Sequence, residues 1–176
     1  METKNLAELY DAPPVSWEHV TARLDQGFTQ APGTGGPDRH TCWIATLNAD
    51  GSPHVTGLGA DWHDGAFWFS TAKTSRKGRN LARDSRCSLS LATHEFDLTV
   101  QGTADLVTDP AAVATYVELA AAGGWPARVD ESGVAVTADY SAQSAGPPPW
   151  YVYCITARTA VALETIDPFG ATRWTF

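Results

Sequence analysis

The sequence predicts a mainly β fold, a barrel or sandwich of short antiparallel strands with one or two helices added. Three observations carry this. Runs rich in β-branched and aromatic residues recur between residues 41 and 107, Asp-Gly turns separate the first of them, and three helix starts carry local caps. At 176 residues and 43% hydrophobic, with 7 Trp, 5 Tyr and 6 Phe, the chain is long and apolar enough for one domain with a sizeable core.

The elements follow in order. Pro13 and Pro14 precede Ser16, a good N-cap, and Trp17, Val20 and Leu24 recur at helical spacing. Gln30 to Pro37 is a loop by composition. Thr41–Leu47 is a strand, Asn48-Ala-Asp-Gly51 a hairpin turn, and His54–Ala60 the returning strand. Trp62-His-Asp-Gly65 then turns into Ala66–Ser70, completing a meander. Ser75 caps a short helix to about Arg83, followed by strands Cys87–Ala92 and Leu98–Val107, the latter weakened or bulged at Gly102. Asp109-Pro110 opens a third helix whose buried face is Val113, Tyr116, Val117 and Ala120, and Gly123-Gly124 ends it. Residues 125–149 are irregular and finish in Gly146-Pro-Pro-Pro149. Strands at Trp150–Thr156 and Thr159–Glu164, a turn at Asp167–Gly170 and a last stretch Ala171–Phe176 close the chain. Residues 1–39 thus hold a helix and loop, 40–107 the core strands, and 108–176 a helix, a loop and the C-terminal strands.

Charge narrows the partners. The formal net charge is −8, which disfavours duplex DNA or an anionic membrane as a partner. No apolar run approaches membrane-spanning length, the N-terminal residues lack a basic-then-apolar leader pattern, and Cys42, Cys87 and Cys154 form no disulfide framework or zinc motif. A cytoplasmic protein is the expectation, with the cysteines serving as small core residues. The five histidines show no metal-ligating spacing, so no metal site is expected. No Walker loop, G-x-G-x-x-G or nucleophile elbow is present.

One segment departs from the acidic average. Lys73, Arg76, Lys77, Arg79, Arg83 and Arg86 fall within fourteen positions with Asp84 as the only acid. The segment leaves a strand through Ser70 and Thr71 and enters a helix at Ser75, the order that an anion site wants, because free N–H groups and the positive end of the dipole meet there. A phosphate-bearing ligand accounts for it; so does a solvated basic helix face. At helical spacing Arg76, Asn80 and Arg83 share one face while Lys77 and Leu81 share another, so only some of these charges can meet one ligand.

Ile44–Thr56, Asp64–Thr71 and Ser75–Leu89 together resemble the pyridoxamine 5′-phosphate oxidase-like split-barrel flavoproteins, a superfamily that includes deazaflavin-dependent reductases of actinobacteria. The specific parts are the A-T-L-x-x-D-G-x-P-H turn, the F-S-T strand end and the S-R-K-x-x-N-L helix start. The resemblance is strong over about residues 40–107 and weak beyond.

It implies a six-stranded antiparallel split β-barrel with short flanking helices, a homodimer, and a cofactor cleft between subunits. Ser70, Thr71 and Ser75 would lie at the cofactor phosphate or ring edge, Arg76 and Lys77 on the phosphate, and Asn80 behind the loop. His54, Val55, Thr56 and Gly57 would line the ring, and Gln101 would reach it. The cofactor implied is the deazaflavin F420, with FMN as the alternative, and the activity is hydride transfer to an activated C=C or C=N bond of a small organic substrate. A non-catalytic flavin or haem carrier and an FMN-dependent oxidase are the other readings. His54 stands where vitamin-B6 oxidases carry Arg, and their C-terminal Trp and Arg motif is not matched, which argues against pyridoxamine phosphate oxidation itself. No catalytic residue is identified; Tyr140, His63 or water could deliver the proton, and the 123–149 loop would wall the substrate pocket.

Overall fold

The computed structural model describes residues 1–28, 41–141 and 145–176. The loop expected between Gln30 and Pro37 lies outside the described residues. Strand β1 (Glu2–Asn5) and a 3-10 turn lead to helix α1 (Trp17–Asp25), started by Ser16, whose hydroxyl accepts the His19 N–H. Strands β2 (Thr41–Leu47), β3 (Pro53–Gly59), β4 (Asp61–His63) and β5 (Ala66–Thr71) precede helix α2 (Arg76–Arg83). Strands β6 (Arg86–Ala92) and β7 (Phe96–Leu106) follow, then helix α3 (Pro110–Ala122), capped by Asp109 with Pro in its first turn. A small hairpin of β8 (Arg128–Val129) and β9 (Val136–Thr137) leads to β10 (Tyr151–Glu164) and β11 (Ala171–Thr175). No helix among the described residues is long and apolar enough to cross a membrane.

Every ladder is antiparallel. The main path runs β1, β11, β10, β7, β6, β2, β3, and β5 pairs with both β10 and β4. β3 and β4 form one strand bent at Ala60: the first part pairs with β2, the second with β5. The circuit β2, β3/β4, β5, β10, β7, β6 is therefore the six-stranded split barrel that the resemblance implies. The β4–β5 ladder stops at the Asp61–Trp68 pair, although β5 pairs with β10 as far as Thr71. Beyond that point β3 and β5 diverge, which opens the barrel between Gly59 and Ser70.

Three expectations are corrected. Trp62 and His63, read as part of a turn, form a strand with Asp61, and the turn is confined to Asp64 and Gly65, both at positive φ. The two C-terminal strands are one 14-residue strand whose register slips between Ala157 and Thr159. That bulge lies opposite Gly102 rather than in β7 itself. A Cβ on Gly102 would lie 2.0 Å from the Thr156 carbonyl oxygen, so close backbone approach is what requires glycine there.

Because side chains alternate across a strand, the β5–β10 wall carries two cores. Phe67 and Phe69 point inward with Tyr153 and Ile155 to join Ile44, Leu89, Leu98 and Trp174 inside the barrel. On the outer face, Val152 and Trp68 meet α3 through Val113, Tyr116 and Ala120, with Val136 and Trp150 beside them. The opening of the barrel thus faces α3 rather than bulk solvent alone.

Candidate functional site

Helix α2 is fixed at both ends by short-range chemistry. The Ser75 hydroxyl accepts the Gly78 N–H at 3.0 Å and bonds Thr71 Oγ1 at 2.9 Å. Thr71 is wholly buried, so it shapes the turn into the helix. The Asn80 amide donates to Thr46 Oγ1 at 3.1 Å and Asn48 Oδ1 at 3.3 Å, tying the helix to the β2–β3 turn. Asn80 therefore stands behind the loop.

The six clustered cations have different neighbours. The Lys73 ammonium lies 3.6 Å over the Tyr151 ring. Arg79 donates to the Thr74 carbonyl and Arg83 to the Leu47 carbonyl. Arg86 pairs with Asp84 at 2.6 Å and, chiefly by that hydrogen bond, pulls the carboxyl down to about 2. Arg76 makes no hydrogen bond or ion pair among the described residues; it lines a groove of about 460 Å³ with Arg79, Asn80, Arg83, Asn48 and Asp50. Lys77, only 2% exposed, faces a cavity of about 260 Å³.

Burial holds the Lys77 ammonium below its ordinary value. His54 is likewise lowered, first by burial and then by the charges of Arg76 and Lys77, which keeps its imidazole neutral at pH 7. The fold thus brings three predicted residues, His54, Arg76 and Lys77, into one electrostatic neighbourhood.

The cavity occupies the opening of the barrel. Leu58, Gly59, Ala60 and Asp61 form one wall, and Ser70 and Lys77 the floor. Tyr116 and Ala120 of α3 and its C-cap Gly123 cover it, and Trp125, Tyr140, Ser141 and Ala145 close the side. The expected wall in the 123–149 loop is therefore a wall of this cavity. A reciprocal clasp holds it: the Trp125 indole donates to the Tyr140 carbonyl at 2.7 Å, and the Tyr140 hydroxyl donates to the Gly124 carbonyl at 3.4 Å. Tyr116 donates to Ser70 Oγ at 3.1 Å, which leaves the Ser70 proton for another acceptor; burial pushes the Tyr116 phenol well up.

The remaining predicted residues are spread. Val55 and Gly57 lie on one face of β3 and His54 and Thr56 on the other, so a ligand on either face meets only one pair by side chain. Gln101 shares the Val55 face through the ladder Gln101, Ser88, Ala45, Val55, and its amide oxygen accepts the Thr159 hydroxyl at 3.2 Å. Three strand spacings separate Gln101 from Val55, roughly 14 Å. One chain does not bring Gln101 to the cluster. His63 does not line the cavity; its ring lies 6.5 Å from that of Trp68.

Among the polar residues that line the cavity outside the 123–149 loop, Tyr116 and Asp61 escape the sequence reading as site residues. Tyr116 was legible only as a buried helix position. Asp61 would have been found had the Asp61–His63 segment been read as a strand, since alternation then sets it on the Ser70 side of the wall. Burial pushes the Cys42 and Cys87 thiols to about 12, so neither offers a thiolate.

A split barrel with a basic helix start beside its opening defines the class of protein. Residues 36–164 match the model of the pyridoxamine 5′-phosphate oxidase family, and the chain belongs to that family. Among solved structures, the haem-binding protein from Mycobacterium smegmatis is 20% identical with a TM-score of 0.56, over 77% of this chain and 52% of that one. This chain therefore spans about half the length of that protein. An F420 reductase is 18% identical with a TM-score of 0.51, over 84% and 98% of the two chains. PhzG from Burkholderia lata 383, in complex with tetrahydrophenazine-1-carboxylic acid, is 16% identical with a TM-score of 0.58, over 95% and 90%. At these identities the likeness is one of fold. No curated protein sequence matches the chain.

Proposed function

We propose that the protein is an oxidoreductase that transfers a hydride between the deazaflavin F420 and a small organic substrate with an activated C=C or C=N bond, FMN being the alternative cofactor. The observation that carries this reading is the start of α2, where Arg76 lines a groove together with Arg79 and Arg83 and the buried Lys77 lines the cavity at the barrel opening. Both charges act on His54, so a phosphate seated at the helix start would lie within the field of both. A bound flavin or deazaflavin supplies the hydride at its ring. The residues of the chain supply orientation and dryness: β3 offers backbone groups along its open edge, neutral His54 adds no charge beside the anchor, and Leu58, Ala120 and Trp125 keep water from the cavity.

The groove favours F420 over FMN. Arg79 and Arg83 continue the positive surface beyond Arg76, along the path that an anionic oligoglutamate tail needs, whereas Lys73 is turned away to Tyr151. The likeness to an F420 reductase and to PhzG supports the class of chemistry. We further propose a homodimer. Trp43 and Val55, 50% and 57% exposed on the outer face of the sheet, need cover, and a second copy seated there would bring its own Gln101 toward the cofactor.

Titration of the purified chain with F420 and with FMN, followed by tryptophan fluorescence, tests the reading. Tighter binding of F420 with oxygen-insensitive turnover is expected. Tighter binding of FMN with oxygen consumption overturns the choice of cofactor, and tight binding without turnover makes the protein a carrier.

A further inference from the structure

The end of β5 carries two adjacent hydroxyls in different settings. Thr71 is wholly buried, and its Oγ1 is paired with Ser75 Oγ at 2.9 Å. Ser70, as strand alternation requires, lies on the opposite face, the one that α3 covers, opposite Val152 of β10. The β4–β5 ladder has already stopped at this level, so the Ser70 side chain lines the cavity at the opening of the barrel. Its side-chain partner among the described residues comes from α3. That helix buries Val113, Tyr116 and Ala120, and the Tyr116 phenol is the one polar side-chain group of the three. A phenylalanine there would fill the same space with no oxygen to satisfy, so core packing alone does not account for the phenol. The phenol donates to Ser70 Oγ at 3.1 Å. Among the described residues no protein group accepts the Ser70 proton in turn, and the cavity is the space that this hydroxyl borders.

We propose that Tyr116 is a positioning residue: it fixes Ser70 Oγ as an acceptor and so aims the Ser70 proton into the cavity, at an acceptor atom of the bound cofactor. The inference rests on the cavity being the cofactor site, as proposed above, and adds a residue from outside the strand-end and helix-start motifs. Tyr116 transfers no proton in this role. Burial pushes its phenol well above the ordinary value, so it stays protonated at neutral pH and remains the donor of the pair. What it removes is the freedom of the serine rotor. A lone serine hydroxyl turns to suit any neighbour, whereas one that accepts from Tyr116 keeps its proton out of that direction.

A double-mutant cycle tests this. The full chain, Tyr116→Phe, Ser70→Ala and the double variant are titrated calorimetrically with F420 and with FMN, and thermal melts confirm that each is folded; Tyr116→Met stands in for a Tyr116→Phe variant that does not fold. For the cofactor that the parent binds more tightly, Ser70→Ala should raise the dissociation constant roughly three- to tenfold, the range of one neutral hydrogen bond. Tyr116→Phe should raise it about threefold while Ser70 is present and leave it unchanged in the Ser70→Ala background, because a positioning residue acts through the group it positions. A residue that only supports the fold gives the same fold-change in both backgrounds. Equal losses, or parental affinity in either single variant, overturn the inference and leave the cofactor assignment intact. Failure of both cofactors to bind the parent overturns the assignment and the inference together. If the coupling appears but Arg76→Ala leaves the affinity unchanged, the phosphate anchor falls and the role of Tyr116 stands.

Discussion

Replacing Lys77 with Met separates the two things this residue does. Its side chain is 2% exposed, so the stem fills space at the base of α2 while the ammonium faces the cavity. Met preserves the volume and flexibility of the stem and removes only the charge. A charge-assisted hydrogen bond to phosphate contributes about 1.5–3 kcal/mol, so the dissociation constant of the cofactor should rise roughly ten- to 150-fold. Stability should move the other way or not at all. Burial depresses the Lys77 pKa below its ordinary 10.5, which means the folded state bears a desolvated charge. Between the folded and unfolded values the unfolded chain binds more protons, so stability rises with pH in that window, and cofactor affinity, which needs the ammonium, falls over the same window. Lys77→Met should lose both slopes. Calorimetric titration with F420 and FMN, together with thermal melts from pH 7 upward, reads all of these. Binding of both cofactors by Lys77→Met within twofold of the parent refutes the reasoning.

Gly102→Ala should cost about 3 kcal/mol and lower the melting temperature by roughly 6–12 °C, because its Cβ meets the Thr156 backbone at 2.0 Å; scanning calorimetry decides. Burial alone would raise the Glu95 carboxyl, but the hydrogen bond and charge of Arg23 outweigh it and leave the group below its ordinary 4.5. Its contribution to stability is therefore present above that value and lost as pH falls through the lower folded one, and Glu95→Gln should flatten that part of the acid unfolding curve. Light scattering at micromolar concentration should give twice the chain mass of 18.8 kDa, and a monomeric mass contradicts the dimer.

What could be read in advance was local. Ser16, Ser75 and Asp109 cap helices by bonds to residues two or three positions away, and the sequence holds both partners of each bond. β1 has no such signature: Glu2, Thr3 and Lys4 are exposed, with no apolar alternation, and only pairing with Thr172–Thr175 makes them a strand. β4 is three residues long and its partner β5 lies just across the turn, so its Trp-His-Asp-Gly end reads as turn throughout. β10 looked like two strands because Ala157-Arg158-Thr159 breaks the alternation. The bulge absorbs the extra residue and restores the same faces on the far side.

The site was legible in its chemistry but not in its selection. Six cations in one segment look alike in sequence, and what distinguishes two of them comes from far along the chain: Tyr151 reaches Lys73 from β10, and the Leu47 carbonyl reaches Arg83 from β2. Helical geometry did sort two faces correctly. Arg76, Asn80 and Arg83 line the groove, while Leu81 enters the barrel core and Lys77 the cavity beside it. The net charge of −8 seemed to count against a polyanionic ligand, yet exposed charges farther apart than about 8–10 Å are largely screened at physiological salt. A ligand in the groove above α2 therefore meets Arg76, Arg79 and Arg83 with Asp50 as the acidic neighbour, and the surplus of acid elsewhere does little to cancel them. Local arrangement, rather than total charge, decides which anion this surface can hold.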